Sequence, residues 1–261
     1  MNETTGTAPL KRVLLVVAYD GTGYSGYQAQ PNGVPTIEGE LNSAILELTG
    51  EEVEVIGGSR TDAGVHAMQN VAVFDTASRI PAEKFSYALN SRLPAAIRIQ
   101  KSVQVDPDFH PRHQNCVKTY EYLIYSAPFP SPLKDRYSYY TYRKFDIAKM
   151  QAGGDLLVGE HDFTSFSSIY SQAKSSVRTI TALEILQRDG EIVIRVSGTG
   201  FLYNMVRIIA GTLMEVGEGR RAPESITEVL NAKDRRAAGP TAPAQGLTLV
   251  RYLFQDHPDL T

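Results

Sequence analysis

One cysteine, Cys116, and no tryptophan occur among the 261 residues. A lone thiol excludes an internal disulfide framework and a cysteine-built zinc cage, and it fits a reducing cytosol. No apolar run reaches the length needed to span a bilayer, and the N-terminus lacks the basic-then-apolar order of a secretory signal. The expectation is a soluble cytoplasmic protein with no membrane partner. Excess charge is missing as well, since 26 basic and 29 acidic residues leave a net charge of −3. That balance argues against wholesale coating of a nucleic acid, so any phosphate-binding surface has to be a local focus of charge. Low-complexity tracts are absent, and 42% hydrophobic content predicts a packed core with room for one or two domains. Only the first ten residues, MNETTGTAPL, read as a loose N-terminus.

What is present is a regular alternation of strand and helix signals. KRVLLVVAYD is a β-branched run ending at Asp20-Gly21 and predicts a buried strand. After a loop rich in Gly, Gln and Pro, apolar residues at Ile37, Leu41, Ile45 and Leu48 predict an amphipathic helix. Glu38 and Glu40 stand in its first turn and Gly50 follows its end. VEVIG, QNVAVFD and IRIQKSVQV read as strands, with a helix opened by Pro81 and closed before Pro94. The first half is thus β-α-β-β-α-β. The second half repeats the order: the strand NCVKTYEYLIYS, the helix FDIAKMQAGGDLLVG, a hairpin of VRTITALEILQ and EIVIRVS, the helices FLYNMVRIIAGTLMEVG and APESITEVLNAKD, and the strand LTLVRYLF. The prediction is an α+β fold of two β-α-β-β-α-β, ferredoxin-like halves, with antiparallel or mixed sheets, helices on one face and a cleft between the halves. Residues 11–107 form the first half and 108–261 the second, since DPDFHPRHQ breaks the periodicity between them.

Some motifs mislead. GTGYSG at 21–26 matches the dinucleotide fingerprint, but Pro31, Gly33 and Pro35 delay any helix whose N-terminus could meet a pyrophosphate. HPRH at 110–113 spaces two histidines three apart, with His161 and Asp162 further on, yet no helical context or nearby third ligand accompanies it. They read as polar loop residues, and no metal or cofactor is expected. No G-x-S-x-G elbow is present.

GSRTDAGVHA at 58–67 carries more. An Asp on a tight loop between strands can be fixed by backbone donors, and Arg60 two residues from Asp62 supplies a cation that keeps the carboxylate ionised. Such a carboxylate can act as nucleophile or base; a surface Asx-turn with a solvated arginine accounts for the same letters. Arg207 stands inside an otherwise apolar helix, with Tyr203, Asn204, Ala210 and Gly211 on its stripe. It either reaches a carboxylate or snorkels its head to water. KTYEYLIY puts Tyr120, Tyr122 and Ile124 on one strand face, where an aromatic can stack a splayed-out base or simply pack.

Taken together, YDGTGYSGYQAQPNGVPTIEGEL, GGSRTDAGVHA, DFHPRHQNCVKTYEYLIY, GEHDFTSF, VRTI, GFLYNMVRIIAGTLMEVG and AKDRRAAGPTAPAQGLTLV resemble the TruA family of tRNA pseudouridine synthases over nearly the whole chain. The resemblance implies isomerisation of uridine to pseudouridine at positions 38, 39 and 40 of the tRNA anticodon arm, without cofactor or metal, by a homodimer. It also implies roles: Asp62 as the catalytic carboxylate, Arg207 as its cationic partner, Tyr120 stacked on the target base, and Arg60 filling the space the flipped uridine leaves. The candidates for phosphate contact are Arg112, Lys118, Lys174, Arg178, Arg220, Arg221, Lys233, Arg235 and Arg236. Two departures stand out. Tyr27 replaces the family's usual tryptophan, which predicts different packing or a different RNA contact, and HPRHQNC replaces a stretch usually richer in alanine and serine. The alternatives are the same chemistry on other RNA uridines, or an RNA-binding or RNA-folding module.

Overall fold

The computed structural model describes residues 10–168 and 174–261. Two compact units divide the chain. One is drawn from the chain up to Asn115 together with Tyr252–Thr261, the other from Cys116–Arg251.

In the first unit, β1 (Lys11–Tyr19) lies between β3 (His66–Thr76) and β4 (Ile97–Val105), antiparallel to both, with Leu14 opposite Val73 and Val103. A strand flanked on both sides can bury consecutive residues, and Val13 to Val17 are all buried. The expected strand VEVIG contracts to β2 (Ile56–Gly57), the only part that pairs with β3. Helix α1 (Ile37–Thr49) starts where Thr36 accepts a hydrogen bond from the Gly39 N–H and stops at Gly50, whose φ of 75° is left-handed. Its buried side is Ile37, Leu41, Ala44 and Ile45. The helix expected after Pro81 is a 3₁₀ turn, Ala82–Lys84, running into the short α2 (Phe85–Asn90), whose Phe85 meets Phe74 edge-on at 5.2 Å.

The second unit orders its strands β5 (Cys116–Ser126), β9 (Glu191–Gly198), β8 (Val177–Arg188) and β7 (Gly159–Asp162), each antiparallel to the next. Sequence periodicity did not predict β7, nor β6 (Tyr139–Thr141), which pairs parallel with β5. Each is too short to display an alternation, and a neighbouring strand supplies its pairing. Helix α3 (Ile147–Asp155) is capped by the Asp146 carboxylate, and it packs on α4 (Met205–Gly217). The expected start of α4 at Phe201 is early by one turn, because Asn204 sits at φ 61° and cannot belong to a right-handed helix. The amphipathic α5 (Ser225–Ala232) buries Ile226, Val229 and Leu230. Strand β10 (Leu247–Phe254) carries the chain from the second unit into the first. Among the described residues, no helix is long and apolar enough to cross a membrane.

Candidate active site

Between β2 and β3 runs the loop that holds Arg60 and Asp62. Its entry is clamped by Asn70, whose Oδ1 accepts the Ser59 N–H at 3.2 Å while its Nδ2 donates to the Ser59 carbonyl at 2.9 Å. Two residues later, the Thr61 carbonyl accepts the Tyr27 N–H at 3.0 Å, and the Asp62 carbonyl accepts the Val65 N–H at 3.1 Å. Both peptide planes flanking Asp62 are therefore tied, which fixes the direction of its Cα–Cβ bond. Asp62 is half-buried and Arg60 exposed.

GTGYSG finds its use here, as the segment that grips the aspartate loop. A β-carbon on Gly21 would lie 2.1 Å from the Val65 carbonyl oxygen, and one on Gly26, at φ 93°, would lie 2.9 Å from that of Thr61. Only glycine permits so close a backbone approach. The Gly64 N–H donates to the Tyr24 carbonyl, and the Gly21 N–H donates to Nδ1 of buried His66 at 3.0 Å. The Asp20 carboxylate lies 3.2 Å from the same nitrogen and also accepts the Thr22 N–H at 2.9 Å. Sequence reasoning passed over Tyr19, His66 and Asn70. The readable signal was Asn70 inside the run QNVAVF, where a buried polar group has to be satisfied.

The second unit holds Tyr120 and Arg207. Tyr120 sits on β5, buried, with Phe201 edge-on at 5.2 Å and 83°. Arg207 on α4 is half-buried and directed by its neighbours: its Nε donates to the Ala242 carbonyl at 2.8 Å and its Nη1 to Asn204 Oδ1 at 2.9 Å. Tyr122, two residues from Tyr120 on the same strand face, donates its hydroxyl to the next carbonyl, Pro243, at 3.0 Å. Burial pushes the Tyr122 phenol well above its ordinary range, with the Arg207 charge opposing weakly, so it stays a donor. One short loop thus orients both the arginine and the aromatic strand.

Seven of the nine basic candidates, all but Lys118 and Lys174, separate into two groups. Arg220 and Arg221 are matched by Glu215, Arg236 by Asp234 and Lys233 by Asp162. Arg112, Arg178 and Arg235 instead donate to the neutral carbonyls of Gly57, Ser175 and Gly239. Burial lowers the pKa of all three, and the nearby charge of Arg60 adds to the effect on Arg112. His110 and His113 stack at 4.0 Å, and among the described residues no group of three or more His, Cys, Asp or Glu is placed to hold a metal.

One unit holds a tied carboxylate loop, and the other an oriented arginine beside an aromatic strand. Residues 15–114 and 155–255 match the tRNA pseudouridine synthase family, and the chain belongs to that family. The proteins named tRNA pseudouridine synthase A in Acetivibrio thermocellus and in Brevibacillus brevis are each 47% identical to it over 245 residues, covering 94% of this chain and 100% of theirs. Clostridium tetani has a tRNA pseudouridine synthase A 2 that is 49% identical over 245 residues, covering 94% of this chain and 99% of its own.

Proposed function

We propose that the protein isomerises uridine to pseudouridine in tRNA, at positions 38, 39 and 40 of the anticodon arm, with Asp62 as the catalytic carboxylate. The observation that supports this best is the double tie on the Asp62 backbone, in a chain matching its family across most of its length. The Asp62–Val65 bond closes an ordinary β-turn, whereas the Thr61–Tyr27 bond anchors that turn to a distant segment of the chain, which a free surface turn lacks.

The reaction breaks the bond from N1 of the base to C1′ of the ribose, turns the base and joins C5 to C1′. C5 then loses its proton and N1 gains one, so the product is an isomer and no electrons are exchanged. Asp62 acts on the sugar or ring as nucleophile, or takes the C2′ proton as base. Arg207 supplies the cation that keeps it ionised, and its bonds to Ala242 and Asn204 orient that cation beforehand. Tyr120 stacks on the target base, supported from its side by Phe201. Arg60, exposed at the loop, fills the space left by the flipped uridine. Phosphate contacts fall to Arg112, Arg178 and Arg235, which donate to neutral carbonyls. The protein works as a cytoplasmic homodimer.

Tritium release from tRNA transcripts labelled at uridine C5 tests the reading, with the modified positions mapped afterwards. Release confined to the anticodon arm, abolished by Asp62→Asn while tRNA binding persists, is the expected result. Binding without release by the wild type would favour an RNA-binding module.

A further inference from the structure

Behind the aspartate loop lies a buried polar chain with a defined direction. Asn70 Oδ1 accepts two backbone N–H groups, those of Ser59 at 3.2 Å and Val71 at 2.9 Å, which identifies that atom as the oxygen and Nδ2 as the donor. Nδ2 donates to the Ser59 carbonyl and to the Tyr19 hydroxyl oxygen at 3.1 Å. Tyr19 Oη, accepting there, has its single proton left to give, and Thr61 Oγ1 lies 2.7 Å away. Exposure is 0% at Asn70, 4% at Tyr19, 5% at Ser59 and 7% at Thr61, so water does not compete for these bonds.

The cheapest account is ordinary satisfaction of polar groups in a sheet. Two features exceed it. The chain begins on strands β1 and β3 yet ends on the two residues that flank Arg60, Ser59 and Thr61, gripping one by its backbone and the other by its side chain. A valine at 61 and a phenylalanine at 19 would also fill that space with no hydroxyl to bury, leaving Asn70 Nδ2 its bond to the Ser59 carbonyl.

We infer that Asn70, Tyr19 and Thr61 form a positioning relay, which sets the loop backbone so that the Asp62 carboxylate starts each turnover in its reactive orientation. None of the three touches the reacting atoms; they act through the peptide that carries Asp62. The inference rests on the reading of Asp62 given above.

Four variants test it: Tyr19→Phe, Thr61→Val, Thr61→Ser and the double variant Tyr19→Phe/Thr61→Val, each assayed by C5 tritium release and thermal unfolding. Tyr19→Phe and Thr61→Val are expected to lower kcat by about tenfold or more with KM nearly unchanged, since misplacing a catalytic group penalises the reacting state rather than binding. Thr61→Ser, which keeps the hydroxyl, restores most of kcat. The double variant is no worse than Tyr19→Phe alone, because that change already breaks the bond that Thr61→Val removes. Wild-type kcat in folded Tyr19→Phe and Thr61→Val would overturn the relay, as would a loss that Thr61→Ser fails to restore. Asp62→Asn, run alongside, separates the failures: a dead Asp62→Asn with fully active relay variants removes only the relay, whereas an active Asp62→Asn removes the reading of Asp62 itself.

Discussion

Gly211 on α4 lies so close to Pro240 that a β-carbon at position 211 would stand 1.9 Å from the Pro240 carbonyl oxygen. The approach places Ala242 where its carbonyl accepts from Arg207 Nε and its N–H donates to the Arg207 carbonyl. Helix propensity alone favours alanine over glycine by about 1 kcal/mol. Overlap with a backbone carbonyl reverses that sign, and Gly211→Ala is expected to destabilise by about 1–3 kcal/mol. Because the displaced loop also orients Arg207, turnover should fall further than the folded fraction does. Urea unfolding and kcat on the same preparation check both parts.

Tyr27 is 1% exposed, and its hydroxyl has no hydrogen-bond partner among the described residues. A β-carbon on Gly57 would lie 2.2 Å from its ring, so the side chain is packing and its departure from the family's tryptophan is a change in the core, not an RNA contact. Burial holds the phenol far above its ordinary pKa, so it stays neutral with an unmet donor. Tyr27→Phe removes that liability and is expected to stabilise by about 1 kcal/mol without changing kcat. Thermal unfolding measures it; a clear loss of stability would mean the hydroxyl is satisfied in solution.

The β-α-β-β-α-β order of the first half was legible because its signals are local. Val13 to Val17 form one β-branched run with a leucine pair, and Thr36 and Gly50 cap α1 from within its own sequence. What escaped notice depended on distant partners. GTGYSG looks like a phosphate loop until Val65 and Thr61 are seen against its glycines, some forty residues on in the chain. Asn70 reads as an interruption in a strand until Tyr19 and Ser59 are placed around it. Asp62 and Arg60 stood out as chemistry, but the means of holding them did not, since a hydrogen bond between strands leaves no periodicity in either one.

The proposed phosphate contacts follow the division of the surface arginines by carboxylate matching. Arg178→Ala and Arg112→Ala are expected to raise the Kd for tRNA and to reduce the dependence of log K on log salt by about one unit each, as the loss of one phosphate contact does. Arg236, already matched by Asp234 at 2.7 Å, should change the slope little when replaced by alanine. Filter binding across a salt series discriminates the two groups. Equal slopes for all three variants would mean that Arg112 and Arg178 do not face phosphates.

Glu121 makes the pH dependence of stability predictable. Its carboxylate, 5% exposed at the middle of β5, accepts from Arg188 Nη2 at 2.7 Å and from Arg195 Nη2 at 2.8 Å. Burial pushes its pKa up, but the hydrogen bonds and charges of the two arginines outweigh burial and hold it below the usual carboxylate value. A depressed folded pKa means that the unfolded chain takes up the proton first. The stabilisation is therefore complete above the unfolded value, about 4.3, and is lost as pH falls through the lower folded value. Glu121→Gln keeps the shape and removes the charge, at an expected cost of about 2–3 kcal/mol at neutral pH. That gap between wild type and variant should hold steady from neutral pH down to about 5 and close below about 4. Urea unfolding across this range measures it. A gap that widened on acidification would reverse the sign and place burial, not the arginines, in control of Glu121.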